Sequence, residues 1–167
     1  MRRMLKDWAM ALSLGALVFF AIQYLQPKPE IPDEAPDFTV TTLDGDSFEL
    51  SAMRGRVVVL NFWATWCGPC IAELPNVKKT YTKYHEKGFE IVGISLDQSK
   101  DKLTDFVKEN DMPWPQHFDG LGWKNEFAVM YGIQGIPAMW LVNKDGNLVD
   151  MKARSGLDAK VEKLLAE

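Results

Sequence analysis

Histidine and cysteine are almost missing from this chain, and each scarcity narrows what it can do. Two histidines (His85 and His117) and two cysteines (Cys67 and Cys70) are all that 167 residues provide. A structural zinc site needs four closely arranged N or S ligands. The cysteines stand three positions apart, but the histidines are unpaired and distant, which argues against metal. Basic residues form no run beyond the N-terminus. The net charge is −4, made of +2 in the first seven residues and −6 in the remainder. Phosphate binding needs a basic face, so nucleic acid is not expected as a partner. There is no nicotinamide or flavin motif, no internal repeat and no low-complexity segment.

One long hydrophobic run is present. From Trp8 to Gln26 the chain carries no charge and is mostly apolar. At about 1.5 Å rise per residue, a helix of that length roughly spans a hydrocarbon core of about 30 Å. Arg2, Arg3 and Lys6 precede it, so the positive-inside rule predicts a cytoplasmic tail over 1–7, an anchor over 8–26 and everything later outside the cytoplasmic membrane. Trp8 and Tyr24 fall near the two interfaces, where such rings are favoured. A cleaved signal peptide would need small residues one and three positions before the cut. Ile22 to Gln26 supplies none, and no cysteine is available there for lipid attachment. Residues 27–35, rich in proline, read as a stiff extended linker.

The remainder, 36–167, reads as one α/β domain; 47% hydrophobic and 25% charged residues overall suit a single globular unit with a short appendage. DFTVTTLDGDSFEL alternates around an Asp-Gly turn and predicts a hairpin. VVVLNF, from Val57 to Phe62, is a continuous apolar run of strand length, the pattern of a central strand buried on both faces. EIVGISL, from Glu90 to Leu96, is a second such run. Cys67 to Lys87 between them is long enough for a helix, which makes a βαβ unit. Further helices are predicted over Asp101–Asn110, Trp123–Tyr131 and Asp158–Ala166, and AMWLVNKDGNLVDMKA reads as two strands around an Asp-Gly turn. Trp114, Trp123 and Phe127 are expected to pack inside. Trp63 suits a substrate surface or the core equally. His85 is expected in solvent, and His117 is left without a role.

A CxxC pair can be half a metal site, two ordinary buried thiols or a reversible disulfide. Missing partner ligands weigh against the first. The second seldom places a chain's only two thiols at this spacing beside Trp66. Outside the cytoplasm thiols tend to oxidise, so a pair that cycles implies dedicated redox chemistry. Cys67 stands at the predicted start of the helix, where the dipole and free N–H groups favour a thiolate. Pro69 suits the first helical turn, where its missing N–H costs nothing. Cys70 lies about one turn further in and is expected to be the less exposed thiol. Cys67 is therefore the predicted attacker and Cys70 the resolver that displaces a mixed disulfide.

WCGPC, followed by Pro75 five residues after Cys70, resembles thioredoxin. GIP at Gly135–Pro137 resembles the thioredoxin loop whose proline is cis and faces the disulfide, and NKDGNLV fits the hairpin after it. The anchor, the N-terminal hairpin, the extra stretch at about 98–130 and the CxxCxxELP pattern resemble membrane-tethered oxidoreductases of the TlpA/ResA type. The resemblance implies a thioredoxin-like fold, a central mixed sheet flanked by helices, with an N-terminal β-hairpin and a central insertion. It implies a redox-active Cys67–Cys70 disulfide with no other cofactor, and substrate contacts from Trp66, Gly68, Pro69, Ile136 and Pro137.

Thioredoxin carries an Asp on its central strand as proton handler; the aligned position here is Asn61, which cannot take a proton at neutral pH. The role is expected to pass to Glu73, whose alternative is that of a surface carboxylate early in a helix. Burial beside Trp63 or the thiolate would suit Glu73 to that role. Gly-Pro between the cysteines resembles the reducing members of the fold, near about −270 mV, rather than strong oxidants near about −120 mV. Disulfide-bearing proteins, apocytochrome c among them, are the implied substrates, and a membrane thiol reductase the implied electron donor. A peroxiredoxin-like peroxidase would want PxxxTxxC around its reactive thiol, and ATWC does not keep that spacing. A copper carrier of the Sco type would want CxxxC and an accompanying histidine.

Overall fold

Val57–Trp63 (β3) forms the middle of the main sheet, and all seven of its residues are buried. A computed structural model describes residues 34–167 of the chain. The expected tail over 1–7, the anchor over 8–26 and residues 27–33 of the linker lie outside the described residues. Within those described, no helix is long and apolar enough to cross a membrane.

β3 pairs in parallel with β4 (Phe89–Ser95) and antiparallel with β6 (Ala138–Val142). Strand β5 (Gln116–Phe118) extends the sheet beyond β4, and β7 (Leu148–Asp150) extends it beyond β6, giving the order β5-β4-β3-β6-β7. Both faces of β3 and β4 are covered, which is why each reads as an unbroken apolar run rather than an alternating one. Phe62, Leu60, Ile91 and Ile94 have no exposed surface at all. Removing each from water stabilises the fold by about 1.5–3 kcal/mol.

The predicted N-terminal hairpin is present as β1 (Thr39–Thr41) and β2 (Ser47–Glu49), with Gly45 at φ 89° in its turn. A bridge between Thr42 and His117 and the bond from Leu43 N–H to the Gln116 carbonyl fasten it to β5. Ala35 is buried, and its N–H donates to the Gly146 carbonyl, so the packed domain takes in the last linker residue.

Helix α1 (Gly68–Tyr84) follows β3, with Pro75 inside it. Helix α2 (Lys100–Glu109) is capped by Ser99, whose hydroxyl accepts from the Lys102 N–H. The short α3 (Glu126–Met130) is capped by Asn125, and α4 (Leu157–Ala166) closes the chain. The sequence predicted one helix over Trp123–Tyr131. The structure has a 3-10 turn at Gly122–Lys124 and then α3. Gly120 and Gly122, at φ 76° and 59°, break the run just before it.

Gln116 explains a glycine in β4. Its side chain occupies the place where a Cβ on Gly93 would project, so only glycine fits there. From that position Gln116 Oε1 accepts from Trp63 Nε1–H at 3.0 Å. The indole is thereby buried with its donor satisfied.

Candidate active site

Ala64 to Cys67 turns the chain from β3 into α1, and Cys67 is the N-cap residue, with φ −87° and ψ 95°. Its carbonyl accepts from the N–H groups of Cys70 and Ile71. Its Sγ accepts from the Cys70 N–H at 3.2 Å, the place an Asp or Ser oxygen takes in an ordinary cap. The two cysteines are joined as a disulfide, with Cα atoms 5.2 Å apart. In the dithiol form the same N–H and the helix dipole favour negative charge on Cys67.

The exposure contrast expected between the thiols is not found. Cys67 is 5% exposed and Cys70 7%. Both residues pack against the core where the helix begins, so residue burial does not tell them apart. The assignment of attacker therefore rests on the cap position and not on access.

The surroundings of the two sulfurs differ. Beside Cys67, Trp66 is 55% exposed and Gly68 and Pro69 face solvent. Behind Cys70 a void of about 10 Å³ is walled by Asn61, Trp63, Phe106, Met112, Pro137 and Met139, among others. The Ile136–Pro137 peptide bond is cis, as the GIP motif led us to expect, and Pro137 and Cys70 share this wall. Asn61 is buried, and its Oδ1 has no hydrogen-bond partner among the described residues. Trp63 is core, tilted against Phe106.

Glu73 lies elsewhere than expected. Its Oε2 pairs with Arg154 Nε at 3.2 Å and its Oε1 accepts from Asn76 Nδ2 at 3.1 Å. It lines an open cleft of about 610 Å³ with Pro137, Met139, Arg154 and the loop through Gly156. Trp63 is not part of that cleft. Three positions after Cys70 the helix surface has already turned toward the loop after β7.

Trp114 and Phe127 are buried as predicted, but Trp123 is not: it is 49% exposed, with its ring centroid 6.2 Å from that of Trp66. The 3-10 turn directs Trp123 outward while Phe127 and Ala128 enter the core. His85 is only partly in solvent, stacked on Tyr81 and 3.6 Å from Glu90. His117 is buried, edge-on to Phe127. Burial, and secondarily the Asp37 charge, push the Tyr131 hydroxyl well above the usual tyrosine range; it donates to the Pro36 carbonyl at 2.6 Å. Burial, then Glu90, do the same to Tyr81.

Sequence reasoning missed Asp97, a buried carboxylate beside the cysteine turn. Its signal was weak: an acidic residue ending the apolar run that begins at Glu90. Among the described residues no group of three or more His, Cys, Asp or Glu side chains stands close enough to hold a metal ion.

A disulfide at a helix N-terminus, bordered by a cis-proline and placed at the end of a central strand, can take up two electrons and two protons to become a dithiol that gives them back. That chemistry on this sheet order defines a thiol–disulfide oxidoreductase of thioredoxin-like fold. The Redoxin family profile matches residues 31–165, and the chain belongs to that family. It is 40% identical over 124 residues to the thiol-disulfide oxidoreductase ResA of Bacillus thuringiensis, covering 74% of this chain and 70% of that protein. A ResA from Halalkalibacterium halodurans is 29% identical across 96% of this chain and 94% of its own length. The solution structure of a thiol:disulfide interchange protein from a Bacteroides species superposes with a TM-score of 0.71 at 30% identity, covering 83% of this chain and 91% of that one.

Proposed function

We propose that the chain is a membrane-anchored, extracytoplasmic oxidoreductase that works as a reductant, passing electrons from its dithiol to disulfides in other proteins. The single observation that carries the redox reading is the Cys67–Cys70 disulfide capping α1. The Cys67 thiolate attacks the substrate disulfide and forms a mixed disulfide. Cys70 then attacks Cys67 Sγ, releasing the reduced substrate and leaving this protein oxidised. Gly-Pro between the cysteines supports the reducing direction, and the uncharged run over 8–26 behind a basic flank supports the anchor.

On this reading Trp66, Gly68, Pro69, Ile136 and Pro137 meet an extended substrate segment, and Glu73 handles the proton of Cys70. Substrates are disulfide-bearing proteins, with oxidised apocytochrome c thiols as the candidate that the resemblance to the TlpA/ResA type implies. A membrane thiol reductase returns electrons to the pair.

The test is to mix the reduced full-length protein with an oxidised CxxCH peptide and follow free thiols on both partners. Stoichiometric transfer to the peptide is expected, and no transfer to any disulfide substrate would refute a reductant. Protease added to spheroplasts should digest the domain; protection of the full-length chain would refute the proposed topology.

A further inference from the structure

Asp97 is 3% exposed, and it faces the turn that carries the cysteines. Its Oδ2 accepts from the Thr65 backbone N–H at 3.0 Å and from the Ser95 hydroxyl at 2.8 Å. Its Oδ1 accepts from the Thr65 hydroxyl at 2.6 Å. Its own N–H donates to Ser95 Oγ at 3.0 Å, which fixes the carboxylate in turn. The next bond along, from Leu96 N–H to the Trp63 carbonyl, ends the pairing of β3 with the chain leaving β4. A carboxylate is taken out of water only where donors replace its hydration, and here three donors do so.

The place of these bonds matters more than their number. Thr65 immediately precedes Trp66 and Cys67. The Cys67 N–H donates back to the Ala64 carbonyl, so Thr65 lies inside the closed turn that carries Cys67. Cys67 receives the Cys70 N–H only while its backbone keeps the extended cap conformation. Resting on the dithiol oxidoreductase reading above, we propose that Asp97 is a positioning residue: by holding Thr65 it sets the direction of Cys67 Sγ and so the reactivity of the attacking thiol. Its hydrogen bonds go to Thr65 and Ser95 and not to either sulfur.

Substitutions separate this role from a contribution to folding alone. Asp97→Ala leaves Thr65 N–H without an acceptor. Asp97→Asn keeps an oxygen for Thr65 N–H and offers an N–H₂ to the Thr65 hydroxyl, so it retains the position and discards the carboxylate. Thr65→Val removes only the hydroxyl bond. The measurements, on reduced full-length protein, are the alkylation rate of Cys67 by iodoacetamide at one fixed pH, the equilibrium with glutathione, and the melting temperature.

We expect Asp97→Ala to slow alkylation by about ten-fold or more, since misplacement on the scale of an ångström carries penalties of that order. The glutathione equilibrium should shift with it. Asp97→Asn should restore both to within about three-fold of wild type, and Thr65→Val should fall between. A folded Asp97→Ala protein with the wild-type rate and equilibrium overturns the proposal, and so does Asp97→Asn reacting as slowly as Asp97→Ala. If Asp97→Ala does not fold, Thr65→Val decides: slower alkylation at an unchanged melting temperature supports positioning, and a wild-type rate refutes it. Alkylation uses no protein substrate, so failure of the wild type to reduce any disulfide would instead count against the functional reading.

Discussion

Two sides of one disulfide differ in what surrounds them. On the Cys67 side stand exposed Trp66, Gly68 and Pro69, and Trp123 beyond them. On the Cys70 side stand Trp63, Phe106, Met112 and Met139 around a void scarcely large enough for one water. The difference teaches that, with the residues equally buried, the cap position of Cys67 is accompanied by a contrast in surroundings that points the same way. On the proposed mechanism Cys67 is the thiol that meets partners, while Cys70 faces a largely apolar wall past which its proton must leave.

Exchanging the cysteines one at a time tests this division most severely. Cys67→Ser should abolish disulfide reduction and trap nothing. Cys70→Ser should still attack and then accumulate mixed disulfides, visible on non-reducing gels after acid quenching. Partners trapped by Cys67→Ser and not by Cys70→Ser would reverse the roles.

The two tryptophans sharpen the contrast next. Trp63→Ala empties the inner wall and removes the donor to Gln116, so denaturant unfolding should show a loss of about 3–5 kcal/mol. Trp66→Ala touches no core and should change stability by less than about 0.5 kcal/mol. Its effect should be a raised KM for a protein disulfide. Equal stability losses in both variants would erase the distinction between an inner and an outer side.

The inner side was the more legible in sequence. Unbroken runs at Val57–Phe62 and Glu90–Leu96 announce strands covered on both faces, and the boundaries agree to within a residue. CGPC marks the helix start because Pro69 suits the first turn, and GIP marks the cis-proline through its resemblance to the thioredoxin loop. The 98–130 stretch was less legible. Strand β5 has three residues and follows Pro113 and Pro115, which leaves no periodicity to read. Trp123 followed the expectation that large aromatics are core, which the 3-10 turn overrides. Asp97 and the Arg154 partner of Glu73 depend on contacts between distant segments, and nothing local encodes those.

Alkaline pH separates scaffold from site by a smaller margin. Tyr131 packs against Phe38, Phe62 and Trp140 and holds its proton more tightly folded than unfolded. Its contribution is fully present below its unfolded value of about 10 and is lost as pH rises above that. The loss is on the order of 1 kcal/mol per pH unit while the folded group stays protonated. Tyr131→Phe should therefore be less sensitive than wild type between about pH 10 and 11, measured by urea unfolding. Identical slopes would mean that Tyr131 is not the group responsible.

Glu73 provides the mildest test, and it asks how the inner thiol's proton leaves. To resolve a mixed disulfide Cys70 must give up a proton, and a nearby base speeds this. Asn61 shares the void with Cys70 but is no base. Glu73 lies about one turn along the helix from Cys70. Pro137 and Met139 line both the void behind Cys70 and the cleft that holds Glu73, so these two side chains are all that the two spaces have in common. In the oxidised protein the carboxylate is held by Arg154 and Asn76. A base acting across such a boundary should contribute less than the roughly hundred-fold or greater effect of one in direct contact. We therefore expect Glu73→Gln to keep the fold, to slow disulfide reduction several-fold and to change the pH–rate profile. Arg154→Ala frees the carboxylate without removing it and should leave the rate closer to wild type. An unchanged profile in Glu73→Gln would reduce Glu73 to the surface partner of Arg154 and leave Cys70 to release its proton directly to water.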